Sequence, residues 1–139
     1  MTRLTFRFLT TLVAMFVCVA CGDDDSSTPT APTPPTIITE TFSGTVTRNG
    51  GATHSFSSQA SGSVTATLTL LAAAEGTKIG LALGTFNGSA CQLVITKDDA
   101  IQGSIVTGAV SALGSLCVRV YDVGNLTQSA DYEISVAHP

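Results

Sequence analysis

The sequence predicts an all-β fold, an antiparallel and jelly-roll-like β-sandwich of about eight strands, and three observations carry that expectation. Apolar residues alternate with Ser and Thr at period two. Turn signals recur at short, even spacing, the mark of a sandwich. Thr, Val and Ile dominate the runs between them, and these residues suit a pleated surface.

The strands follow in order. Residues 38–47 end at Asn49-Gly50, a hairpin signal because both residues tolerate positive φ, and ATHSFSS at 52–58 lies on its far side. Residues 63–72 place Val64, Ala66, Leu68 and Leu70 on one face and Ser63, Thr65, Thr67 and Thr69 on the other. After Glu75-Gly76 comes 77–85; LTLLAAAEG before it is the one stretch with room for a helical turn. Asn87-Gly88 precedes 91–97, and Asp98-Asp99 reads as the next turn, before 101–111. Gly114-Ser115 opens 115–123, with Leu116, Val118 and Val120 on one face. Gly124-Asn125 precedes 131–137, where Tyr132, Ile134 and Val136 share a face.

Three segments are expected. Residues 1–20 read as an export signal: Arg3 and Arg7 precede an apolar run from Phe8 to Ala20, broken only by Thr10 and Thr11. That run is too short for a spanning helix, which needs about 20 residues, and suits a signal core of about 7–15. Ala20 is small, as a peptidase pocket requires, and Cys21 follows it. Residues 21–36 read as a lipidated cysteine and a stalk. Asp23, Asp24 and Asp25 are its first solvated residues, not a metal site, and SSTPTAPTPPT holds no residue able to build a core. Such Pro-rich chain prefers polyproline II at about 3.1 Å per residue, so the stalk reaches roughly 40–45 Å. Residues 37–139 are the folded domain, one core that buries over about 60% of its unfolded surface.

The domain carries a charge of −3 from Arg48, Lys78, Lys97 and Arg119 against seven acids. It has no basic stripe, so nucleic acid is excluded as a partner. Of the four cysteines, Cys18 leaves with the signal and Cys21 takes lipid. Cys91 and Cys117 remain in an exported domain and are expected to form a disulfide. Cys117 shares a face with Arg119 and Tyr121, so the bridge belongs beside Tyr121 and away from the aliphatic face. Cys91, just after a turn, should sit at a strand end.

VCVACGDDD resembles the lipobox of bacterial lipoproteins, although Cys18 stands where that family has Leu. In HSFSSQASGSVTATLTL, IGLALG, GSLCVRVYDVG and DYEISVAHP the domain resembles the bacterial pre-peptidase C-terminal (PPC) domain, a small β-sandwich of exported proteins. The resemblance spans most of 41–139. Some relatives bind calcium near the domain start; here Glu40 is the only acid between 37 and 74, so no calcium site is carried over.

No catalytic constellation is legible, and no metal or cofactor is expected. Hydrolysis needs a nucleophile, a base and an oxyanion hole. His54 reads as a surface strand residue and His138 as mobile, and no serine stands in G-x-S-x-G. Asp122 and Asn125 flank Gly124 and read as turn formers first and ligand-site residues second. Asn87-Gly-Ser and Asn125-Leu-Thr match glycosylation sequons but read most simply as turns. Sugar modules stack rings on exposed aromatics; Tyr121, beside Arg119, is the one aromatic placed for this, and Trp is absent. The expected function is a non-enzymatic, membrane-tethered envelope lipoprotein presenting a binding or accessory domain to an envelope protein or polysaccharide. Its alternatives are a carbohydrate-binding lipoprotein and an accessory subunit of an exported enzyme. Gly22, rather than Asp, after the cysteine favours the outer membrane, facing the periplasm or the cell surface.

Overall fold

A computed structural model describes residues 33–139. The signal segment, Cys21 and the stalk as far as residue 32 lie outside the described residues. The rest forms eight strands: β1 (Ile38–Val46), β2 (Gly51–Ser58), β3 (Gly62–Ala72), β4 (Ile79–Phe86), β5 (Cys91–Ala100), β6 (Ile105–Val110), β7 (Gly114–Tyr121) and β8 (Ala130–His138). They build two four-stranded antiparallel sheets, β1-β8-β3-β6 and β2-β7-β4-β5. Every connection but β4–β5 crosses from one sheet to the other, which is the jelly-roll winding. The described residues contain no helix; 73–78 is a set of bends and turns.

The core lies where the period-two patterns meet. Val64, Ala66 and Leu68 of β3 face Leu81 and Leu83 of β4, and Val118, Val120, Ile134 and Val136 complete the layer, all 5% exposed or less. Leu70 breaks the expected alternation. A bulge between Leu68 and Leu70 shifts the register against β8. One extra residue flips every later side chain, so Leu70 turns outward and Leu71 packs on the core.

Two turns differ from expectation. Asn49-Gly50 makes no hairpin: β1 pairs with β8 and β2 with β7, so this turn carries the chain between sheets. Asn49 alone takes positive φ, at 56°. Asp98-Asp99 is strand, not turn, because β5 runs on to Ala100. The turn comes at 101–104, where Gly103 takes φ of 86° and its N–H donates to Leu68 at the β3 bulge (2.7 Å).

The antiparallel registers sort the loops onto two ends. The near end carries the start of β1, the finish of β8 and the loops 59–61, 87–90 and 111–113. The far end carries 47–50, 73–78, 101–104 and 122–129. The carbonyl of Pro139 ties the two sheets together at the near end, accepting from the Gln59 N–H at 2.9 Å and the Ser58 hydroxyl at 3.3 Å.

Candidate functional site

The outer face of the β2-β7-β4-β5 sheet gathers most of the residues singled out from the sequence. Along β7, Leu116, Val118 and Val120 point toward the core side, so Cys117, Arg119 and Tyr121 point outward. Their partners on β4 are small: Gly84 opposite Cys117, Ala82 opposite Arg119 and Gly80 opposite Tyr121. The Tyr121 ring covers Gly80 so closely that a Cβ there would sit 2.2 Å from it. The face of that ring toward Gly80 is therefore covered, and the phenol donates to the Asp98 carboxylate on β5.

Burial, then the hydrogen bond and negative charge of Asp98, push the Tyr121 phenol up to about 12. Burial also raises Tyr132, the only other tyrosine. Both folded values exceed the unfolded one, so the stability these phenols contribute is complete below about pH 10 and is lost as pH rises through the folded values. The 295 nm phenolate absorbance of the folded protein should include one step centred at about pH 12, which Asp98→Asn should move downward and Tyr121→Phe should remove. Loss of a step near pH 10 in Tyr121→Phe would refute the placement of Tyr121.

The disulfide lies on this face. Cys91 opens β5 and bonds Cys117, with Cα atoms 5.8 Å apart. Cys117 is fully buried but lies outside the aliphatic core, on the Tyr121 side of β7. The pairing and the face match the sequence expectation.

Asp122 is occupied by backbone. One carboxylate oxygen accepts from the N–H groups of Gly124 (2.8 Å), Asn125 (2.9 Å) and Leu126 (3.1 Å), and the other from Asn49 (2.8 Å). The carboxylate thus shapes its own loop and fastens it to the β1–β2 turn. Those N–H groups, Asn49 first, hold its carboxyl below the usual range. Asn125 contributes only its backbone among these bonds. Asn87 does similar work: its side-chain oxygen accepts from Ser89 (3.0 Å) and Ala90 (2.8 Å).

Both histidines depart from their sequence reading. His54 faces between the sheets, its ring stacked on Phe42 at 5.0 Å and 18°, with Nε2 2.8 Å from the Tyr132 hydroxyl. Burial lowers its pKa. His138 is 1% exposed, with Nε2 2.9 Å from Glu40 and its ring 5.0 Å from Phe56. The signal was present in each case. His138 continues the inward phase of Tyr132, Ile134 and Val136, and His54 shares its phase with Phe56. Each histidine therefore bridges the sheets as a polar member of an aromatic cluster.

Two further features bear on chemistry. Among the described residues, no three of His, Cys, Asp and Glu stand close enough to hold a metal ion together. An apolar cleft of about 340 Å³ opens between the sheets on the β5–β6 side toward the near end, lined by Phe56, Val94, Ile95, Leu113 and Leu116 among others. Sequence patterning missed it because its lining is drawn from six strands and the 111–113 loop, which only the tertiary fold brings together. No family model matches the chain, and no curated protein matches it either.

Proposed function

We propose that the protein is a non-enzymatic envelope lipoprotein, held to a membrane by acyl chains on Cys21 and presenting its β-sandwich as a binding or accessory domain. The observation that carries this reading is the junction at Ala20-Cys21, where a short apolar run meets a cysteine and then a polar, Pro-rich segment. The protein's other chemistry supports it. The histidines hydrogen-bond Tyr132 and Glu40, not a serine or cysteine nucleophile, and Asp122 is held by four backbone N–H groups. The PPC-like strand patterns fit a small exported module of this kind.

Cys21→Ser tests the anchor. The variant should leave the membrane fraction or accumulate as uncleaved precursor, and mass spectrometry of the wild-type N-terminus should find acyl chains on Cys21. A mature N-terminus without them would overturn the reading. Gly22 favours the outer membrane over the inner under this reading, and density separation of envelope fractions checks that preference.

A further inference from the structure

Charge is segregated along the long axis of the sandwich. Every lysine and arginine of the described residues lies in the far half: Arg48 and Lys78 in far-end loops, Lys97 and Arg119 on the far halves of β5 and β7. Every acid lies there too, except Glu40, whose carboxylate meets His138. The near half therefore carries one charged side chain, Glu40, and no basic one. It does present large apolar side chains: Ile37, Ile38 and Leu93, with Val94 70% and Leu113 71% exposed. The apolar cleft opens beside Val94 and Leu113, which line it; Ile37 and Ile38 lie at the opposite, β1 edge of the same end. Exposed Leu70, Ile101 and Ile105 lie in the far half or at its rim, and there the surface is broken by Asp98, Asp99 and Glu133.

Scattered exposed apolar residues are ordinary. An end that concentrates them around a single acidic side chain is not, and such patches mark contact surfaces. The chain identifies the occupant. β1 starts at the near end, so the Pro-rich segment before Ile38 joins the fold there. We propose that the near end is a second membrane contact that needs no acyl chain, resting on the bilayer with Leu113 and Val94 in the headgroup–hydrocarbon boundary. The inference rests on the Cys21 anchor for its orientation. A tether raises the local concentration of bilayer to the millimolar range, so a weak interfacial contact suffices. With no basic side chain at this end, binding should not need anionic headgroups and should not fall as salt rises, unlike the binding of a basic surface.

The absence of tryptophan gives a clean reporter. Leu113→Trp and Ile101→Trp, each in the full lipidated chain, are reconstituted into phosphatidylethanolamine–phosphatidylglycerol vesicles containing bromine-labelled acyl chains. Leu113→Trp should blue-shift and be quenched, and Ile101→Trp at the far end should not. Equal quenching, or none at Leu113→Trp, overturns the proposal. In parallel, the unlipidated Cys21→Ser chain is sedimented with the same vesicles. It should bind weakly and independently of salt, and Val94→Asp with Leu113→Asp should cut that binding about tenfold or more. Loss of binding only at high salt, or a dimer in solution that the same two substitutions dissociate, would assign the surface to another partner and overturn the proposal. Mass spectrometry of the N-terminus reads the anchor separately, so an unacylated Cys21 fails that reading without deciding this one.

Discussion

Gly84→Ala is expected to destabilise the domain by about 3 kcal/mol or more, at the upper end of overpacking costs. An added Cβ would lie 2.1 Å from the carbonyl oxygen of Gln92, 2.8 Å from its carbon and 3.1 Å from the Cα of Leu93. All three atoms are backbone, so no rotamer change relieves the clash. The crowding follows from the path of β5. Cys91 and Cys117 sit on strands separated by β4, which in a flat sheet puts Cα atoms about 10 Å apart. Here they are 5.8 Å apart, so the start of β5 has folded over β4, and Gly84 is the point it covers. Gly114→Ala is the control, since nothing lies within 4 Å of a Cβ there. Urea denaturation of both variants checks the expectation: the midpoint should fall sharply for Gly84→Ala and hold for Gly114→Ala, with similar m-values. Wild-type stability in Gly84→Ala would mean that β5 does not cross there.

Removing the disulfide should be comparably severe. The bridge closes a loop with a sequence separation of 26 residues, and the chain-entropy model gives about 3.5 kcal/mol for a loop of that size. In a domain this small that corresponds to a melting temperature about 15 °C lower. Cys91→Ser with Cys117→Ser should show that drop in a thermal melt. A drop of only a few degrees would mean that the Gly84 crossover holds β5 down alone. The two sites are linked, since Cys91 adjoins Gln92. Gly84→Ala should therefore cost less in the cysteine-free background than in the wild type, a non-additivity expected of neighbours.

Much of the fold was legible because the outer residues are so uniformly polar. Where Ser and Thr alternate with Val, Leu and Ile, as in β3 and β7, the strand and its inward face are both readable. Pairing is a different matter. Asn49-Gly50 announces a turn but not whether the strands beside it pair or part into opposite sheets. That is decided by β8, whose ladder with β1 is formed by residues far away in sequence. Asp98-Asp99 misled because β5 is an edge strand, where charged side chains reach water without leaving the ladder. The candidate site was legible in part. The face shared by Cys117, Arg119 and Tyr121 follows from period two, but the three small residues of β4 beneath it are visible only once β4 and β7 are known to pair. Asp122 in its loop looks the same in sequence whether it binds a ligand or its own backbone.

The ladder between the first and last strands also governs how the domain comes into being. Ile38 lies opposite His138, a hundred positions later, and Val46 opposite Ala130. No portion of the chain that lacks β8 can satisfy the backbone of β1, because β1 is an edge strand with β8 as its one neighbour. Pairings of such long range make folding slow, in the millisecond-to-second range. However early β1 is made, it waits without its partner until the last strand is in place.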